Sequence, residues 1–196
     1  MRNVLITGVS AAGKSTLARW LAEHGQRAVS LDGYPGLCDW VDEHGRGVTW
    51  PTDPDHEWMT RHRWVWRPQV LDGILADAAN QAGGTLFACG RAVNAREMAD
   101  RFDAVIGLFI DEQTMAARLG DPKRGNPFGR MGDSRQYLLD NLNADQRALA
   151  EWADAIIDAR KPLEHVGEEV MAAAAIALLR MKAPSQHGTR SPQARS

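Results

Sequence analysis

Val4-Leu5-Ile6-Thr7 runs directly into Gly8-Val9-Ser10-Ala11-Ala12-Gly13-Lys14-Ser15-Thr16, and this junction decides the fold. The first four residues read as a short buried strand. Leu17, Trp20 and Leu21 then recur at helical spacing, which predicts a helix over 15–23 with Gly25 near its end. Residues 8–15 fit the pattern G-x-x-x-x-G-K-[ST] in the strand-to-helix setting that this pattern requires. Gly8 and Gly13 allow a tight turn that points the amides of Val9, Ser10, Ala11 and Ala12 inward. A ring of amide donors at a helix N-terminus is an anion cradle, and phosphate is the anion it suits. Lys14, one of only four lysines in the chain, brings its charge to that cradle, and Ser15 and Thr16 offer hydroxyls. The Ser15 hydroxyl is a hard oxygen ligand of the kind Mg²⁺ takes.

Working outward, short apolar runs alternate with amphipathic stretches. Strands are predicted over 27–31, 85–88, 104–110 and 155–158, and helices over 57–80, 95–101, 112–119, 134–152 and 163–180. Residues 32–55 are rich in Gly, Pro and Asp and read as loop with little regular structure. Strands separated by helices require crossover connections, hence a mostly parallel sheet with both faces covered. The last 14 residues, 183–196, are polar without an apolar period and read as a disordered tail.

The chain has 196 residues and a formal net charge of -2, from 23 Lys+Arg and 25 Asp+Glu. That length gives one domain with a core that needs no staple. The charge balance argues against a nucleic-acid binder. The apolar run at the N-terminus is too short for a signal peptide or a membrane span, which predicts a cytoplasmic protein without membrane association. Cys38 and Cys89 fit no metal-ligand spacing and read as reduced thiols.

Asp32 closes the second strand. In open α/β sheets ligands bind beyond the carboxyl ends of the strands, so this carboxylate faces the end of the phosphate cradle. It can accept a proton from an acceptor hydroxyl, orient that hydroxyl, or touch Mg²⁺ through water. The segment 33–67 is the candidate acceptor region. Five of the seven tryptophans fall between Leu37 and Arg67. Tyr34 and Trp40 are candidate stacking faces, and Arg63 and Arg67 are candidate anion holders. Most tryptophans of such a set serve packing. After the third strand, Gly90 permits close approach to a ligand and Arg91 projects toward the acceptor. No Asp ends that strand, which leaves Ser15 and Asp32 as the candidate metal contacts. The stretch 120–133 is Gly- and Pro-rich and cationic, as a closing lid would be, and contributes Arg124 and Arg130 as candidate phosphate contacts.

In its phosphate loop and element order, over about Val4 to Leu179, the chain resembles the small P-loop kinases. These include shikimate, gluconate and adenylylsulfate kinases, chloramphenicol phosphotransferase and the nucleoside monophosphate kinases. The later blocks also resemble a group of bacterial AAA-family ATPase-like proteins. The resemblance implies a three-layer α/β/α P-loop NTPase fold with a five-stranded parallel sheet and a lid, and a kinase domain over 1–182. It also implies ATP and Mg²⁺ as partners, a small-molecule hydroxyl acceptor, and a monomer or homodimer. Arg118 matches an arginine that in these kinases packs on the adenine or touches phosphates. Arg160, after the fifth strand, falls in the loop that borders the adenine ring. Leu31-Asp32-Gly33-Tyr34-Pro35 is similar to a box of adenylate kinases, but it follows the second strand and has Gly36 in place of an Arg. That departure favours a hydroxyl acceptor. Two rival readings stand beside it: a nucleoside or nucleoside monophosphate kinase, and a nucleotide-binding regulatory protein with little transferase activity.

Overall fold

In the computed structural model, which describes residues 1–80 and 84–182, seven strands and six α-helices are present among the described residues. The expected tail at 183–196 lies outside the described residues. The first strand, β1 (Arg2–Gly8), feeds α1 (Lys14–Glu23), followed by β2 (Arg27–Ser30). Then come β3 (Cys38–Val41), α2 (His56–Arg61), β4 (Arg63–Trp66) and α3 (Pro68–Ala79). After β5 (Thr85–Cys89), a 3₁₀ turn over Arg96–Arg101 leads to β6 (Ala104–Phe109) and α4 (Glu112–Gly120). The chain closes with α5 (Ser134–Ala150), β7 (Ala155–Asp158) and α6 (Leu163–Lys182).

The main sheet has the order β2-β5-β1-β6-β7, and every pairing is parallel. Period-2 alternation divides its side chains between two cores. Val4 and Ile6, Phe87 and Cys89, and Ala104, Ile106 and Leu108 face a core built with Leu17, Trp20, Val166 and Val170 of α1 and α6. Leu5, Leu86, Ala88 and Val105 face the other way, onto Leu71, Ile74 and Leu75 of α3. The result is the expected three-layer α/β/α fold with a five-stranded parallel sheet. β1 sits at the centre, with β5 on one side and β6 on the other, so the loop after it lies at the switch point where open α/β sheets bind ligands.

Three expectations fail. Residues 32–55 are not all loop, and 57–80 is not one helix. β3 and β4 form a separate antiparallel pair with register Cys38↔Trp66 and Trp40↔Trp64. The break is physical. Trp64-Val65-Trp66 is a run of strong β-formers, and Pro68 holds Arg67 in extended backbone (φ -82°, ψ 115°) and occupies the first turn of a new helix. Residues 96–101 are 3₁₀ rather than α-helical.

Candidate active site

The phosphate loop is tightly built. A Cβ on Gly8 would stand 2.5 Å from the Leu108 carbonyl oxygen of β6, so glycine is what lets the loop leave the sheet here. Gly13 caps α1 at φ 98°, and Ala11 takes φ 63°, a left-handed conformation that costs an alanine about 1 kcal/mol. The first intrahelical donor is Leu17, bonding to Gly13 O at 2.9 Å, so the amides of Lys14, Ser15 and Thr16 are left for a ligand. Lys14 is 7% exposed, and its Nζ donates to Gly8 O and Val9 O, both at 3.0 Å. Burial pushes its ammonium down from 10.5 to about 8, against the opposing pull of Asp32.

Asp32 stands at the mouth of this loop. Its Oδ2 lies 4.0 Å from Lys14 Nζ, and its Oδ1 accepts the backbone N–H of Arg91 at 2.7 Å. Gly90 makes this arrangement possible in a way the sequence reading did not foresee. A Cβ there would stand 2.6 Å from Leu31 Cβ, 3.0 Å from Asp32 Oδ1 and 3.1 Å from Trp66 Cζ2. The close approach at Gly90 is therefore by the chain's own β2 end and β4, not by a ligand. Asn94 fastens β4 in place, accepting from Trp66 N and donating to Trp66 O, both at 2.9 Å.

A cavity of about 600 Å³ opens over the loop, lined by residues 10–17, Asp32, Arg118, Lys123, Arg124 and Lys161 among others. This volume suits a small organic ligand. Arg118 bridges the loop to the end of β7, donating to Ala11 O at 3.2 Å and Ala159 O at 2.7 Å. Arg124 donates to Asn126 O at 2.9 Å and to Phe128 O. Both guanidiniums bond to neutral carbonyls in these contacts, and neither is in an ion pair among the described residues, although Asp111 acts on Arg118 from a distance and Asp121 also lines the cavity. Arg130 braces the loop 121–133 through Arg124 O and Asn126 O and is not on the cavity wall. Arg160 is not on the wall either. It pairs with Asp158 and Asp111, while its neighbours Ala159 and Lys161 line the cavity.

The loop 121–133 touches both halves of the site. Lys123, Arg124 and Asn126 face the cavity, and Phe128 packs on Trp40 and Trp50 with ring centroids 5.7 and 5.4 Å apart. Asp133 N donates to Pro54 O at 2.8 Å, and Asp133 Oδ2 accepts from His56 N at 3.0 Å. Trp40 also meets Trp58 and Trp64, so four tryptophans form one cluster.

The hydroxyls and carboxylate near Lys14 fit Mg²⁺. Ser15 Oγ lies 3.2 Å from Ser30 Oγ at the start of α1, and Asp32 is the nearby carboxylate. Among the described residues no group of three or more His, Cys, Asp or Glu can cage a metal by itself. Mg²⁺ does not need one, because it is held through one or two protein oxygens, waters and substrate phosphates.

No protein-family model matches the chain. A shikimate kinase from Shewanella sediminis is 28% identical over 160 residues, covering 80% of this chain and 86% of that protein. Solved structures share the fold. A shikimate kinase from Bacteroides thetaiotaomicron superposes with a TM-score of 0.54 at 16% identity, over 89% of this chain and 98% of that one. A gluconokinase from Sinorhizobium meliloti gives 0.52 at 17% identity, over 94% and 98%. A sugar kinase from Janibacter gives 0.51 at 21%, over 91% and 97%. The chain is thus similar in sequence to a shikimate kinase and shares its fold with several small P-loop kinases.

The structure places the sequence-derived residues as follows. Gly8 to Thr16, Asp32, Arg118 and Arg124 converge on one cavity and its edge. Arg91 and Gly90 meet at Asp32, as holder and spacer. Tyr34 is 36% exposed two residues beyond Asp32. Arg67 is tied to Asp39, and Arg63 is exposed at the outer end of β4, so neither is beside Asp32 as a free anion holder. Sequence reasoning missed Arg19, Lys123 and Lys161 on the cavity wall. Lys161 carried a signal, since it follows the carboxyl end of a predicted strand. It also missed Asn94 and Asp145, the latter pairing with Arg91 at 2.5 Å. Among the described residues no helix is long and apolar enough to cross a membrane.

Proposed function

We propose that the protein transfers the γ-phosphoryl group of ATP to a hydroxyl of a small polar molecule bound beyond Asp32. One observation carries this reading: Lys14, Arg118 and Arg124 converge on a cavity whose edge is a carboxylate held in place by a backbone amide. The loop amides and Lys14 receive the phosphates. Ser15, with Asp32 through water, would hold Mg²⁺, which supplies charge neutralisation across the phosphate oxygens when bound. The acceptor oxygen forms a bond to the γ-phosphorus as the bond to the ADP oxygen breaks. The acceptor proton passes to Asp32 Oδ2, because Oδ1 is already engaged by Arg91 N–H. The loop 121–133 acts as the lid. It brings Arg124 to the phosphates and excludes water while seated on Trp40, Trp50 and Pro54. Segment 33–67 is the acceptor region.

The test pairs calorimetric titration of MgATP with ADP release on a panel of alcohols. Asp32→Asn is expected to lower kcat by about 10²–10⁴ with MgATP affinity kept within about threefold. Unchanged turnover would remove Asp32 from the mechanism. Turnover confined to nucleoside monophosphates would replace the acceptor class, and absence of MgATP affinity would end the whole reading.

A further inference from the structure

The cavity over the phosphate loop holds more cations than its carboxylates can answer. Lys14, Arg19, Arg118, Lys123, Arg124 and Lys161 line it, against Asp32 and Asp121. Lys161 pairs with Glu169 at 2.6 Å, and Lys14 stands 4.0 Å from Asp32. Arg19, Arg118, Lys123 and Arg124 are in no ion pair among the described residues. Arg19 comes from α1, one turn beyond Ser15, and Lys123 from the loop 121–133, so two separate elements bring unpaired cations to one cavity. A chain of phosphates is the ligand that such a set suits.

The part of the cavity left for a base offers little to read it. No aromatic side chain lines the cavity among the described residues, and beyond the phosphate loop its apolar wall is Ala159, Leu163 and Val166. The backbone of the turn after β7 is already engaged. Ala159 N donates to Phe109 O at 2.8 Å, Arg160 N donates to Asp158 Oδ1 at 3.1 Å, and Ala159 O accepts from Arg118 Nη2 at 2.7 Å. Pro162 has no N–H. Of the N–H groups over 159–162, only that of Lys161 has no partner among the described residues, and one hydrogen bond separates ligands by about tenfold at most. On the loop 121–133, Asn126 Oδ1 accepts from Phe128 N at 2.9 Å and Asp121 Oδ1 from Lys123 N at 2.8 Å, so both oxygens brace their own loop. An aliphatic wall accepts the flat face of any base, and a site without matched hydrogen bonds cannot reject the wrong one.

We propose that the donor site selects for the phosphate chain and not for the base. It takes purine and pyrimidine nucleoside triphosphates alike, with Arg19 and Lys123 as further contacts to the phosphates. The inference rests on the phosphotransferase reading and names the donor class of the same site.

The experiment is calorimetric titration of the full chain with the magnesium complexes of ATP, GTP, CTP and UTP, and with magnesium tripolyphosphate, which has no base. The four nucleotides are expected to agree in Kd within about tenfold. Tripolyphosphate in about hundredfold excess is expected to displace bound MgATP. Arg19→Ala and Lys123→Ala combined in one chain are expected to raise all five Kd values by about fivefold or more and to leave the ratios among the nucleotides fixed. A spread of more than about tenfold among the four bases, or tripolyphosphate failing to displace MgATP, overturns the inference and leaves the kinase reading intact. Unchanged Kd values in the double variant overturn the part assigned to Arg19 and Lys123. Affinity for tripolyphosphate with none for any nucleotide ends the kinase reading and this inference with it, as does no affinity for any of the five. The wild-type comparison needs no variant, so a double variant that fails to fold does not protect the proposal.

Discussion

Lys14 is expected to make MgATP affinity depend on pH in a window that few other groups reach. Its ammonium is buried against Gly8 O and Val9 O, and burial pushes it down from 10.5 to about 8. At about 1.4 kcal/mol for each tenfold change in the proton equilibrium, the folded chain disfavours the charge by roughly 3 kcal/mol. Below pH 8 both folded and unfolded chains carry the proton, so the full penalty stands. Between about pH 8 and 10.5 the folded chain releases its proton first, and the penalty is relieved as pH rises. The nucleotide-free chain is therefore expected to gain stability across that interval from this group.

ATP reverses the balance, because phosphate oxygens beside Nζ restore the ammonium. Binding then takes up a proton above pH 8, and Kd for MgATP is expected to rise about tenfold per pH unit from 8 toward 10. The Cys38 thiol, pushed up to about 12 by burial, releases no proton in this window. Calorimetric titrations in two buffers of different ionisation enthalpy count the proton directly. Uptake is expected to approach one proton at pH 9.5 and none at pH 6.5. Lys14→Arg, whose guanidinium does not titrate there, is expected to flatten the profile. A flat Kd between pH 7.5 and 9.5 in the wild-type chain would refute the argument, as would the same slope in the arginine variant.

Three further outcomes follow from single contacts. Arg118→Ala removes the link between Ala11 O and Ala159 O together with its positive charge, and is expected to raise Kd for MgATP by about 10- to 100-fold, the worth of a charge-assisted hydrogen bond; calorimetry reads it, and an unchanged Kd would remove Arg118 from the nucleotide site. Gly90→Ala drives a Cβ into Leu31 and toward Asp32, so it is expected to cost about 1–3 kcal/mol of stability by overpacking and to lower kcat as Asp32 is displaced. Denaturant unfolding and turnover measured on one preparation check this, and full activity in the variant would show that Asp32 tolerates the shift. Phe128→Ala removes the loop's contact with Trp40 and Trp50. Wild-type tryptophan emission is expected to change when MgATP binds, and that change to shrink in F128A; an equal change in both would uncouple the loop from the cluster.

The hairpin shows where sequence patterning was sufficient and still misread. Pro68 and the Trp64-Val65-Trp66 run announced a break within 57–80, but the apolar spacing on either side mimicked one continuous helix. Gly90 was singled out correctly as a place of close approach, while what approaches it depends on how β2, β4 and β5 meet. Arg160 sat at the predicted strand end, yet Asp111 and Asp158 hold its side chain off the cavity wall.

Residues 4–16 by themselves carried the reading of an anion cradle, because strand, turn glycines, the lysine and the helix start are encoded within one short contiguous segment, and the alternation of apolar runs with amphipathic stretches along the chain carried the parallel α/β class. The order of strands around β1, the seating of loop 121–133 on the tryptophans, and the pairing of Arg91 with Asp145 were decided only by the tertiary structure. Whether an arginine presents its charge to a ligand or spends it on a carboxylate depends on a partner 54 positions away, and no local pattern in the chain records that distance.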